Sequence, residues 1–190
     1  MTEGKIDPRI IRTRKLIMDA FIQLAMKKEF KNITIKDITT EATINRATFY
    51  YHFTDKYELL DATLTEELIN NVLSEIMEHE VLNDKTIVQI FLSLTKSQMD
   101  LSKQCPRSFE AFTSTIEFKI KDALVEIFSK LLRSSNEMEE ELFHIKAVML
   151  TWAIYGATVD WQNNSKKSPE AYIDLALPTL MEMALKTVKI

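Results

Sequence analysis

The stretch TIKDITTEATINRATFYYHFTDK, residues 34–56, decides how the chain reads. Thr34 followed by Asp37 has capping-box spacing, in which the hydroxyl takes the NH three residues on and the carboxylate answers the Thr34 NH. A helix is expected to start at Thr34, with Ile35, Ile38 and Ala42 forming one apolar stripe of about two turns. Thr43-Ile44-Asn45 interrupts it, Ile44 being placed to plug the gap between helices. Asn45 is a favoured N-cap, and Arg46 to Phe53 follows as a second short helix. The i, i+4 pair Phe49 and Phe53 faces inward. Arg46, Ala47, Thr48, Tyr50 and His52 remain on or near the outer side, beside Tyr51. A cation, hydroxyls, an imidazole and one small residue are the groups that read the edges of base pairs in a duplex groove. Thr54 can cap the next helix and place Lys56 in its first turn, among free backbone NH groups where a phosphate would fit.

The order of these residues resembles the helix-turn-helix of the TetR (tetracycline-repressor) family of bacterial transcriptional regulators. The residues that match are Ala42, Ile44, Asn45, Thr48 to Phe53 and Lys56, and the resemblance extends over about residues 10–65. One position departs: Thr43 stands where the family usually has glycine. A β-branched residue there either shifts the backbone of the turn or is held under strain of about 1 kcal/mol or more. The resemblance implies a homodimer that binds a palindromic double-stranded DNA operator, commonly as a repressor, and is released by a small-molecule effector. It implies Thr34, Lys36, Tyr50 and Lys56 on phosphates, with Arg46, Ala47, Thr48 and His52 towards the bases.

Charge supports such a division. The net charge is −4, yet residues 1–56 hold eleven Lys/Arg against seven Asp/Glu, whereas residues 57–190 hold thirteen against twenty-one. A basic head on an acidic body is the pattern of an anion-binding module carried by a larger one. The domain expectation is therefore a head over 1–56 and an effector-binding and dimerisation body over 57–190. Arg9, Arg12, Arg14 and Lys15 crowd the start of a helix opened by Asp7-Pro8, where they would oppose the dipole unless an anion were near. They form either a solvated basic face or an arm for phosphates or the minor groove.

Only two glycines occur, Gly4 and Gly156, so glycine-rich nucleotide loops are absent and no cofactor is expected. Strand-like alternation is missing, and the chain reads as all-α with about nine helices. His52, His79 and His144 have no metal-ligand spacing, Glu140 and His144 make at most an i, i+4 surface pair, and Cys105 has no base partner in view. An enzyme is not expected. The lone cysteine fits a reducing cytoplasm. No export signal opens the chain, and its longest charge-free run, Ala147 to Val159, falls short of the about 20 residues that span a bilayer.

Beyond the head, Tyr57, Leu60, Leu64, Leu68 and Val72 continue a long helix to about Met77, and another covers about 85–103. A run from Pro106 to about Arg133 offers a break at Thr113 to Thr115. Phe91, Met99, Phe109, Phe112, Phe118 and Phe128 on these helices are either core or the lining of an effector pocket. The helix over about 138–162 carries two apolar stripes. Phe143, Ala147, Leu150, Ile154 and Ala157 form one; Ile145, Met149, Trp152, Gly156 and Val159 form the other, with Ala153 beside Gly156 permitting close approach. A helix apolar on two sides must be covered on both, which invites a second copy of the chain. Ser168-Pro169 opens a last helix, bent at Pro178, and the family resemblance adds its Leu177 and Leu180 to the dimer surface. A rival reading makes the chain a helical scaffold that binds another protein through this helix over about 138–162, uses DNA only as an anchor and has no small-molecule effector; whether the purified chain dimerises alone separates the two.

Overall fold

The computed structural model describes residues 7–68, 76, 81–135 and 140–185. Among them lie eight α-helices, one 3-10 turn and no strand. They are α1 (Pro8–Lys27), the 3-10 turn Phe30–Asn32, α2 (Ile35–Glu41), α3 (Arg46–His52), α4 (Lys56–Leu68), α5 (Asp84–Gln104), α6 (Phe109–Ser135), α7 (Glu140–Asn164) and α8 (Pro169–Leu185). The extension of α4 expected as far as Met77 lies mostly outside the described residues. The acidic connection expected over Ser134 to Glu141 is corrected at its ends, where Ser134 and Ser135 close α6 and Glu140 and Glu141 open α7, while its residues 136–139 lie outside the described residues.

Two compact units divide the chain. One comprises residues 1–66 and 101–115, the other 67–100 and 116–190. In the first unit, Pro8 occupies the first turn of α1 and Asp7 accepts from the Arg9 NH at 2.9 Å, so the helix starts where its fixed φ and its cap agree. Ile17, Met18, Ala20, Phe21, Leu24 and Ala25 bury one face of α1. Ile33, Ile38 of α2, Phe49 of α3, Phe53, and Leu59, Leu60 and Leu64 of α4 add to this core. Phe21, Phe30 and Phe112 close it as a triangle with ring centres 5.7–6.1 Å apart. Such ring pairs contribute about 0.5–1.5 kcal/mol each beyond the area they bury.

Phe112 comes from the 101–115 segment, which is tied to α1 a second time. Arg107 Nη1 donates to the Lys27 carbonyl at 2.8 Å and Ser108 Oγ to the Lys28 carbonyl at 2.8 Å. Helix α1 ends on extended Lys28 with no glycine after it, and these two side chains satisfy carbonyls that the helix end leaves open. The break considered at Thr113 to Thr115 does not form; α6 runs unbroken, its Thr113 hydroxyl turned back onto the Phe109 carbonyl at 3.1 Å.

In the second unit α7 and α8 pack on each other. Asn83 caps α5 through the Thr86 NH, and Ser168 caps α8 through the Ala171 NH. Phe91 stacks flat on Tyr172, with centres 5.8 Å apart, and the Tyr172 hydroxyl donates to Asp160 at 2.6 Å. Helix α7 is the only one, among the described residues, long and apolar enough to cross a membrane by composition. Its two stripes account for that apolarity. Phe143, Ala147, Leu150 and Ile154 are buried, whereas Ile145, Met149, Trp152 and Val159 on the opposite face are exposed, Trp152 at 57%.

Candidate nucleic-acid interface

The path from α2 to α3 is built as three consecutive caps. Thr34 Oγ1 accepts from the Asp37 NH at 3.1 Å, and Asp37 Oδ2 accepts from the Thr34 NH at 2.9 Å, which completes the capping box. Lys28 adds an ion pair to Asp37 at 3.0 Å. The Thr34 hydrogen bonds and then Lys28 hold the Asp37 carboxyl down at about 2. At the other end of α2, the Ile44 NH reaches the Thr39 carbonyl at 3.0 Å and the Thr43 NH the Thr40 carbonyl at 3.2 Å. Those two bonds are a Schellman closure, whose C′ residue must adopt positive φ. Thr43 does so, with φ of 54°, so of the two outcomes open to the turn its backbone is kept and the β-branched residue bears the strain. Asn45 then caps α3, its Oδ1 accepting from the Thr48 NH at 2.8 Å and from the Thr48 hydroxyl at 3.0 Å.

Helix α3 hangs inward on Phe49 and Phe53, both essentially inaccessible. Its outer face shows Arg46, Ala47, Tyr50 and Tyr51 to solvent, with Thr48 and His52 half-buried at the margins. Arg46 Nη2 donates to the Tyr50 hydroxyl at 3.1 Å, and the guanidinium lies 5.5 Å from the Tyr50 ring centre. A cation is thus paired with an aromatic hydroxyl one turn away, on a surface where nothing covers either. Burial and then the charge of Arg14 push the His52 imidazole below its usual range. Thr34, Lys36 and Arg12 are exposed.

Three expectations about the head are corrected. Asp55, not Thr54, caps α4, accepting from the Tyr57 and Glu58 NH groups at 2.8 and 2.9 Å, while Thr54 is clasped by Glu58. Lys56, expected on a phosphate, donates instead to the carbonyls of Phe30, Lys31 and Ile33 at 3.0, 3.2 and 3.0 Å. An ammonium has three donors, and all three are committed to closing the 3-10 turn. Arg14, expected on a basic face or arm, is half-buried and donates to the His52 carbonyl.

This geometry is a short capped helix delivered with one face open on a basic module, joined by a tight turn to a second capped helix. Residues 17–63 match the family model described as bacterial regulatory proteins, tetR family. Residues 17–63 thus carry the helix-turn-helix domain of that family. The chain is 42% identical over 78 residues to the uncharacterized HTH-type transcriptional regulator YxbF of Bacillus subtilis strain 168, a match covering 40% of this chain and 19% of that relative. The chain therefore spans about a fifth of the length of that curated relative. Likeness of fold extends further. The dihydroxyacetone kinase operon activator DhaS superposes with a TM-score of 0.61 at 17% identity, over 92% of this chain and 97% of that one. A TetR transcriptional regulator from Streptococcus agalactiae 2603V gives 0.58 at 18%, over 92% and 96%. The TetR-type all-α plan, a helix-turn-helix head followed by a larger helical body, is thus the fold of this chain.

The body redistributes the residues proposed for a pocket. Phe91 and Phe128 are fully buried, Met99 and Phe109 half-buried, and Phe118 is 70% exposed. Phe112 belongs to the aromatic triangle of the first unit. Neither Phe112 nor Phe118 can line a pocket in the body's interior. A groove of about 420 Å³ lies along α5 between Asp84 and Ser93, lined by Val88 and Leu92, and includes none of the six. Cys105 is buried, which pushes its thiol up and away from nucleophilic reactivity.

The proposed pairing residues Ile145, Met149, Trp152, Gly156 and Val159 share an exposed face, with Ala153 half-buried at its edge. On α8 the choice is corrected. Leu180 is only 4% exposed and belongs to the monomer's core, Leu177 is half-buried, and Leu175 and Leu185 are the exposed leucines. Their spacing, with Pro178 between them, was the available signal. Arg107 and Ser108 were also missed, although a helix end without glycine, at Lys28, signals carbonyls in need of donors.

Proposed function

We propose that the chain acts as a homodimeric repressor whose two heads occupy successive major grooves of a palindromic operator, with centres about 34–36 Å apart. The observation that carries this reading is the outer face of α3. Arg46, Ala47, Tyr50 and Tyr51 stand open while Phe49 and Phe53 anchor the helix from behind. Arg46 reads a guanine edge, Ala47 meets a thymine methyl, and Tyr50 and Lys36 with the Thr34 end of α2 hold phosphates. The exposed stripe of α7, with Leu175 and Leu185 of α8, is the pairing surface. A small-molecule effector bound in the body releases the operator by favouring one head spacing over the other. The protein works in the cytoplasm, on DNA. DhaS bears the name of an activator, so a reporter assay, not likeness of fold, distinguishes repression from activation.

The test is fluorescence anisotropy on a duplex that the protein selects from a random pool, against a scrambled duplex. Arg46→Ala is expected to lose about 1–3 kcal/mol on the selected duplex and little on the scrambled one. Equal losses on both make Arg46 a phosphate contact and remove the base-reading assignment.

A further inference from the structure

Arg14 leaves the second turn of α1 and ends on the last turn of α3. Its Nη1 donates to the His52 carbonyl at 3.2 Å, and its guanidinium lies over the Phe53 ring, 4.3 Å from the centre. Helix α3 is seven residues long and runs straight into extended backbone at Phe53, with φ of −144°. Like α2 it has no glycine at this end, but unlike α2 it has no Schellman bond, so its final carbonyls depend on donors from outside the helix. A guanidinium suits the place: it supplies a planar donor, its charge complements the negative end of the helix, and its flat face covers an aromatic ring.

We propose that Arg14 is a positioning residue for DNA reading, fixing the pitch of α3 against α1 and so aiming Arg46 and Tyr50, without touching a phosphate itself. The proposal rests on α3 being the helix that reads DNA. Its lever arm is short and stiff. From His52 back to Arg46 is about 9 Å at 1.5 Å rise per residue, so a tilt of about 10° at the clasped end carries the Arg46 backbone about 1.5 Å. That exceeds what a bidentate contact to a base edge tolerates.

The experiment compares wild type, Arg14→Lys and Arg14→Ala on the selected and scrambled duplexes across a salt series, with hydrogen exchange of the free proteins alongside. Arg14→Lys keeps the charge and loses the planar clasp. Both variants are expected to weaken about tenfold on the selected duplex, to stay within about twofold of wild type on the scrambled one, and to keep the wild-type dependence of affinity on salt. In free Arg14→Ala, the amides of Phe49 to Phe53 are expected to exchange faster. A phosphate contact gives a different pattern: equal loss on both duplexes for Arg14→Ala, a log-log salt slope smaller by about 0.9, and near wild-type binding by Arg14→Lys. That pattern overturns the proposal, as does unchanged exchange at Phe49 to Phe53. If wild type selects no duplex at all, the reading of α3 as a DNA-reading helix falls and takes the aiming role with it, while hydrogen exchange still decides whether the clasp exists.

Discussion

Thr43 is a β-branched residue at φ of 54°, in a turn whose hydrogen bonds leave no other conformation. Because the two Schellman bonds fix the backbone, replacing the side chain changes the strain and little else. Thr43→Gly is expected to stabilise the head by about 1 kcal/mol, measured by chemical denaturation, with relief of the left-handed strain outweighing the added freedom of the unfolded chain. Destabilisation would mean that the Thr43 side chain contributes more than its backbone conformation costs. Two titrating residues set the head's acid response. His52 is held below its usual 6.5, so the unfolded chain binds a proton that the folded head resists, and stability falls as pH drops through about 6.5. Asp37 is lowered from 3.8 to about 2, so the stability its capping box supplies is complete above about 3.8 and is lost as pH falls towards 2. Denaturation midpoints measured between pH 8 and pH 2 should fall in those two windows, and replacing His52 with Gln should flatten the upper one alone.

Helices α2 and α3 were legible because every signal that defines them is local: a cap, a period and a turn within a few residues of one another. Thr34, Asp37, Asn45, Phe49 and Phe53 take the places their spacing predicts. The cap of α4 was misplaced by one residue, since Thr54 and Asp55 are both cap formers and only their geometry separates them. Lys56 and Arg14 were misread for a deeper reason. A cation near helix ends reads as a phosphate ligand, and the carbonyls that hold these two come from distant elements: Phe30, Lys31 and Ile33 for Lys56, and His52 for Arg14. Phe112 illustrates the same limit, an aromatic at helical spacing whose partners Phe21 and Phe30 lie about eighty residues or more away. Because it fills the end of the head's core, Phe112→Ala should cost about 3–5 kcal/mol. Hydrogen exchange would register the loss in α1 and the 3-10 turn; a loss confined to residues 116–135 would contradict this placement.

For the whole molecule, the exposed face of α7 is the feature that a solitary chain leaves unexplained. Trp152 lies under the Lys121 ammonium, 3.6 Å from its ring centre, and Ile145, Met149 and Val159 stand open along the same helix. In the proposed dimer this face is the hydrophobic centre of the interface, where large side chains carry most of the affinity. Trp152→Glu is therefore expected to yield folded monomers by gel filtration, with unchanged helical content, and to weaken operator binding by at least about a hundredfold because each head then binds alone. The assembly and the reading of DNA meet in one quantity, the number of chains on one operator. Sedimentation velocity of the wild-type protein with the selected duplex should give a complex of two chains per duplex, or an even multiple. A saturated complex holding a single chain would contradict the account.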